Sequence, residues 1–275
     1  EALLSAATIA TSVDTTRLVA LGGGRVIDVA KAIAAARNAA FGDDPNGDAE
    51  AARVVAIPTT LSGAEMTRGH RHAKGVDPKT PRVRPAVVIV DPDLAASQPV
   101  PELAASALNA LGHAVEGPLT PKASPVPTLA ARDGARQLVR AFDAPGGPDR
   151  DALALGALLA GYAIDAQGYG LHHVMSQTIV RAAAISHGAG NSVLLPHTTR
   201  ALRERFPEQL AALDAAIGET TEAAAARICA ITGATTLSAL GVDEATVERA
   251  ADEAARRPDL DQTPPAADRE ELLAI

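Results

Sequence analysis

The chain has 275 residues, 47% of them hydrophobic, which is enough to bury a core in one large domain or two modest ones and excludes disorder as the default. Its formal net charge of -8 argues against a nucleic-acid-binding protein, because phosphate contacts need clustered Lys and Arg. With 2% aromatics and no Trp, packing has to rest on Ala, Leu, Val and Ile at helical spacing, so a helix-rich architecture is expected.

The sequence begins with Glu1, and its first residues lack the basic-then-apolar order of a signal peptide. No stretch reaches the ~18 uninterrupted apolar residues of a membrane span, so a cytoplasmic protein with no membrane partner is expected. RLVAL (residues 17–21) reads as a buried strand, Gly22 to Gly24 as a turn, and residues 26–40 as an amphipathic helix. RVVAIP (53–58) and PAVVIVD (85–91) are further strands, short β-branched runs bounded by Pro or Asp, which together give the rhythm of a parallel sheet with crossover helices. Between them, residues 69–84 are polar and carry Pro78 and Pro81, the pattern of a mobile surface loop.

After Pro101 the periodicity is helical through residues 102–117, 128–142, 150–166 and 170–180 and on to the C-terminus, with breaks at Pro and Gly. This divides the chain into an α/β segment over residues 1–99 and an all-α domain over 100–275. The one cysteine, Cys229, has no disulfide partner within the chain and reads as a small core residue. Residues 258–275 form a Pro-rich connection into a last short helix, with Thr263 too close to the prolines to cap it.

Chemistry concentrates in three places. The strand-to-helix turn LGGGRVIDVAK lets backbone approach a pyrophosphate at a helix N-terminus, although such a turn is as often plain packing, and it is not a G-x-G-x-x-G fingerprint. IPTTLSGAEMT (57–67) puts Thr59 and Thr60 beyond the carboxyl end of a strand, where open parallel sheets bind ligands; a simple turn is the competing reading. Five of the seven histidines lie between 113 and 197: His113, His172, His173, His187 and His197. Asn109 and His113 are four apart and share a helix face, whereas His172 and His173 point about 100° apart, so at most one of them joins a common centre. Imidazoles from three helices suggest a metal site or a proton-handling, anion-stabilising centre, against the plainer reading of each as a hydrogen-bonded core or surface side chain.

These motifs, with VIVDPDL (88–94), SALNALGHAVE (106–116), GLHHVMSQ (170–177) and HGAGNSVLLPH (187–197), resemble the iron-containing alcohol dehydrogenase and dehydroquinate synthase-like superfamily, most closely the maleylacetate reductases. The resemblance implies a dehydroquinate synthase-like fold, a nucleotide-binding α/β segment followed by a helical domain. It implies NADH or NADPH as cofactor, held by Gly22, Gly23, Gly24, Asp28, Thr59, Thr60 and Ser62 with Lys31 close by. His113, His173 and His187 then take the catalytic histidine positions and, with Asn109, the positions of an Fe or Zn shell. Asn109 stands where metal-dependent relatives carry Asp, so the metal is expected to be dispensable. The resemblance also implies a homodimer, a small carboxylate substrate and a part in the catabolism of aromatic compounds.

Departures from the family pattern bear on that reading. Arg25 follows the glycines where Ser is usual, Gln177 replaces a second histidine, and Val180-Arg181 replaces Gly-Gly, putting a charge near the expected cleft where it, with Arg25, is a candidate to meet substrate carboxylates. Family members carry several dozen residues, the first strands of the nucleotide fold, before the strand at Arg17; without them in the working protein, dinucleotide affinity is expected to be weak. The implied reaction is hydride transfer from NAD(P)H to the double bond of a conjugated keto dicarboxylate, with an enolate stabilised by protonated or metal-bound imidazoles. The alternatives are a metal-dependent dehydrogenase of a small alcohol or aldehyde, and a repurposed or inactive homologue with weakened cofactor binding.

Overall fold

The computed structural model describes residues 16–41 and 51–275. Its sheet is wholly parallel, in the order β1 (Arg17–Gly22), β2 (Arg53–Pro58), β3 (Val87–Val88), with Arg17 opposite Arg53, Gly22 opposite Pro58 and Val55 opposite Val87. The crossover from β1 to β2 includes α1 (Gly24–Phe41), whose Ile27, Ala30 and Ala34 pack on Ala20, Val54 and Ala56 from one sheet face. Alanines at most of these positions bring helix and sheet close together, which suits an Ala-rich chain poor in aromatics.

The other sheet face differs from expectation. Val19 is 69% and Leu21 57% exposed, and Val87 and Ile89 are exposed as well, so β1 is buried on one side only. A parallel sheet is normally covered on both faces; among the described residues α1 covers one. The expected strand at 85–91 is also shorter: the ladder proper is Val87–Val88, flanked by bonds from Ala86 N to Val54 O (2.8 Å) and from Ile89 N to Ala56 O (2.9 Å).

No described residue after Val88 is in a strand. The helices are α2 (Pro92–Ala95), α3 (Val100–Glu116), α4 (Pro125–Arg140), α5 (Arg150–Gln167), α6 (Leu171–Ala183), α7 (His187–Arg205), α8 (Pro207–Ile217), α9 (Thr221–Ile231), α10 (Glu244–Ala254) and α11 (Arg269–Ala274). Helix α3 is central: every residue from Ala107 to Glu116 is buried, against α4, α5, α7 and α9. Leu103, Leu108 and Leu111 anchor the large core cluster, each contributing about 1.5–3 kcal/mol by burial. Cys229 lies in that cluster, and burial pushes its thiol pKa up, away from reactivity. No helix among the described residues is long and apolar enough to cross a membrane.

The segment expected to be a loose surface loop is tied down. His70 and Ala73 are buried, and Val83 N donates to His70 Nε2 (3.2 Å). Asp165 of α5 receives Arg68 N (2.7 Å) and pairs with Arg84 (3.2 Å), joining both ends of the segment to the helical part. Residues 258–268 do lead into a short terminal helix, which Asp268 caps by accepting from Glu271 N at 2.9 Å.

Candidate functional site

The site is built in layers from the carboxyl end of β2. Residues 59–64 leave the strand there, with Thr59 N bonded to Gly22 O (3.0 Å) and Leu61 N to Ser106 Oγ of α3 (2.9 Å). Gly63 adopts φ +72, a left-handed conformation that favours glycine. A Cβ on it would lie 3.1 Å from His113 Cε1 and 3.4 Å from the Gly161 backbone, so the turn is wedged between α3 and α5. On the opposite side a Cβ on Gly24 would meet Ser62 Oγ at 2.8 Å, and one on Gly23 would meet Thr60 Cγ2 at 3.0 Å. The glycine turn, the 59–64 segment and the histidine face of α3 are therefore in successive contact.

Asn109 and His113 share the expected face of α3, and both are buried. Helix α6 supplies His173, whose ring stacks on that of His113 with centroids 4.8 Å apart and planes 20° apart. Tyr169 tilts against His173 from 5.5 Å. His113 Nδ1, His173 Nε2 and Asn109 Oδ1 are all buried without a hydrogen-bond partner. His172 turns the other way, as the helical geometry predicts: its Nδ1 lies 2.9 Å from Thr198 Oγ1, and its Nε2 rests against Gly112. Gly112→Ala is expected to cost about 1–3 kcal/mol, because the added methyl would stand 2.8 Å from Cδ2 and Nε2 of that fixed ring. A melting temperature equal to wild type would show that the ring yields freely.

Two residues outside the predicted set hold α6 in place. Glu116, fully buried at the end of α3, accepts from the amides of Gly170 (3.2 Å), His172 (2.6 Å) and His173 (3.1 Å) and faces His173 Nδ1 at 2.6 Å. Thr263 Oγ1 accepts from Leu171 N at 3.1 Å, so the hydroxyl that does not cap α11 serves α6 instead.

Burial holds the histidines neutral. It lowers His173 and His172 to about 3 and His113 well below the ordinary imidazole value, with mutual repulsion adding to it. This removes the protonated resting form of His113 and His173 from the expectations. His187 begins α7 at the solvent, capped by Ser186; crowding lowers its pKa and Arg25 lowers it further, while Asp28 opposes. Its charge bears on both His113 and His173, which groups the three. His197 stays outside: it lies ten residues along α7, about 15 Å of helix away, and burial and Arg200 lower its pKa.

The cations are not all where the sequence suggested. Arg181 pairs with Glu253 on the exposed side of α6 and α10, because its helix turns it away from His173. The cation on the histidine side is Arg257, which donates from Nη1 to Gln177 Oε1 (2.9 Å), pairs with Asp259 (2.9 Å), and helps depress His173. Lys31 is fully buried: it donates to the carbonyls of Ala64 (2.9 Å), Thr67 (3.0 Å) and Gly69 (2.7 Å) and pairs with Asp28 (2.8 Å). Its ammonium is consumed in holding the chain that follows Ser62 and Gly63.

Of the remaining cofactor candidates, Gly22 and Gly23 lead into α1 and Gly24 opens it, with Gly23 O accepting from Val26 N (2.9 Å) and Ile27 N (3.3 Å). Thr60 Oγ1 beside them is buried and unbonded. This combination of a glycine turn at a helix N-terminus and a buried, unbonded hydroxyl fits a phosphate. A metal shell fits less well. Among the described residues no group of three or more His, Cys, Asp or Glu side chains is placed to hold an ion. Asn109 brings no charge, so the residues present make a weak shell for an ion.

Residues 1–92 match the iron-containing alcohol dehydrogenase family and residues 103–275 the C-terminal part of the Fe-containing alcohol dehydrogenase family. A maleylacetate reductase of Pseudomonas knackmussii is 31% identical over 277 residues, covering 97% of this chain and 74% of that protein. The crystal structure of maleylacetate reductase from Agrobacterium tumefaciens aligns with a TM-score of 0.80 at 27% identity, over 100% of this chain and 78% of that one. An iron-containing alcohol dehydrogenase from Corynebacterium glutamicum gives a TM-score of 0.81 at 25% identity, again over 100% and 78%.

Proposed function

This chain belongs to the iron-containing alcohol dehydrogenase family of oxidoreductases, and we propose that within it the chain is a nicotinamide-dependent reductase of a conjugated keto dicarboxylate such as maleylacetate. The observation that carries the substrate class is electrostatic: Arg25 acts on His187 at one end of the histidine group and Arg257 on His173 at the other. In a chain of net charge -8, guanidiniums at both ends of the histidine group suit a short dianion.

Gly22 to Gly24, Thr60 and the first amides of α1 would hold the phosphates of NADH or NADPH, with Asp28 and Ser62 alongside. The reduced nicotinamide supplies the hydride when bound. Arg25 and Arg257 fix the two carboxylates, which sets the double bond between them. The neutral imidazoles of His113 and His173 form a buried floor, where a hydrogen bond donated by His113 to a developing oxyanion would be stronger than in water. His187, at solvent, is the member of the group placed to exchange a proton with water. A homodimer acting on a small carboxylate without metal belongs to the same proposal.

The test is direct. Purified chain mixed with NADH or NADPH is expected to oxidise the cofactor only when maleylacetate is added. Arg257→Ala should raise KM for maleylacetate about tenfold to a hundredfold, the loss of one charge-assisted contact. Absence of any cofactor-induced melting shift at millimolar NADH and NADPH would end the proposal.

A further inference from the structure

We propose that Glu116 is a positioning residue that fixes the tautomer of His173, keeping the ring proton on Nδ1 so that Nε2 presents a lone pair to the cleft. The proposal deepens the preceding reading, since it takes the cleft at His113 and His173 as the reaction centre. Both carboxylate oxygens are doubly engaged: Oε1 accepts from Gly170 N and His172 N, and Oε2 accepts from His173 N and lies 2.6 Å from His173 Nδ1. The backbone donors lie at the start of α6, where amides lack intrahelical acceptors and the helix dipole favours an anion. Burial pushes the Glu116 carboxyl upward, and the surrounding N–H groups oppose that by stabilising its charge.

A carboxylate that takes three backbone N–H donors is held as the anion and has no proton to give, so the ring atom 2.6 Å from it is itself an N–H. In a neutral imidazole the other nitrogen is then an acceptor, and that nitrogen is the buried, unbonded Nε2. His172 shows the contrast: Thr198 Oγ1 donates to Leu194 O (3.0 Å), so it faces the His172 Nδ1 N–H as an uncharged acceptor, and the ring rests on Gly112. A helix cap alone needs acceptors for the amides; the further engagement of Nδ1 is what couples Glu116 to chemistry. With this tautomer, His173 accepts a hydrogen bond or proton in the cleft, and donation to a developing enolate oxygen falls to another group.

The full chain labelled with 15N in its histidine rings tests the assignment by long-range proton–nitrogen correlation, without substrate or cofactor. The His173 signals, assigned by their loss in His173→Asn, are expected to show a protonated Nδ1 and an unprotonated Nε2. Glu116→Gln sets an amide NH2 among N–H donors, so it should shift His173 toward the Nε2–H form. It should also lower kcat for maleylacetate about 10–100-fold with KM for the nicotinamide cofactor unchanged. Thr198→Val should leave the His173 pattern as in wild type. An Nε2–H pattern in the wild-type chain, or an unaltered pattern in Glu116→Gln, overturns the proposal; if Glu116→Gln does not fold, the wild-type spectrum decides alone. An inactive chain with the Nδ1–H pattern would sink the reductase reading and leave this assignment standing.

Discussion

Replacing Lys31 by methionine is expected to remove about 3–5 kcal/mol of stability, the usual consequence of taking one partner from a buried charged network. The methionine would fill the volume while stranding the carbonyls of Ala64, Thr67 and Gly69 and leaving Asp28 without its ion pair. Each stranded buried acceptor costs about 1–3 kcal/mol when nothing replaces the donor. The damage should be local as well as global, because these carbonyls belong to the stretch that follows the turn touching both the glycines and His113. Urea midpoints at neutral pH measure the loss. A change below about 1 kcal/mol would mean that the segment finds other donors and that Lys31 is no staple.

Acid should unfold this protein well before its carboxylates are all protonated. His172 and His173 titrate near 6.5 in an unfolded chain but near 3 in the fold, because burial opposes their charge. Between those values the unfolded state binds protons that the folded state refuses, so their contribution is complete above pH 6.5 and is lost as pH falls. Each imidazole removes about 1.4 kcal/mol per pH unit in that window, and His113 acts in the same direction.

Glu65 works the other way. Burial raises its carboxyl to about 7 from 4.5, so the fold holds a proton that the unfolded chain releases, and stability falls as pH rises through that window. The penalty reaches about 3 kcal/mol above pH 7. Glu116, also pushed up by burial, adds to this opposition, but the buried imidazoles outnumber the two carboxyls. The expected result is a net loss of a few kcal/mol between pH 6.5 and 4.5. Glu65→Gln should be more stable than wild type at pH 8 and steeper in its acid loss. Wild-type stability that rises on acidification, or a variant profile parallel to wild type, would contradict this account.

The order of strands and helices is legible because each rests on a local pattern: β-branched runs for β1 and β2, and an unbroken apolar periodicity for α3. The facing of Asn109 with His113, and the divergence of His172 from His173, follow from helical geometry alone. Other features were within reach of the same reasoning. Lys31 is four residues after Ile27 on the buried face of α1, where a lysine has to find carbonyls. Glu116 ends a helix whose last ten residues are all buried, and there its own dipole disfavours an anion, so a compensating group was required. The identity of that group was not legible, since the amides of α6 lie more than fifty residues away. Thr263 is further still from Leu171, and the position of Arg257 over Gln177 depends on the course of the chain after α10. The exposed sheet face was misread because a run such as RLVAL looks the same whether one or both sides are covered.

Thr263 gives the last stretch of the polypeptide a part in events it never touches. Its hydroxyl receives the amide of Leu171, and a side chain on Gly170 would run into it at 2.6 Å, so the tail presses on the hinge from which His172 and His173 are hung. Changes around residues 258–268 would therefore register as altered turnover rather than as a fraying end, and a remote tether there becomes a handle on the aim of two imidazoles.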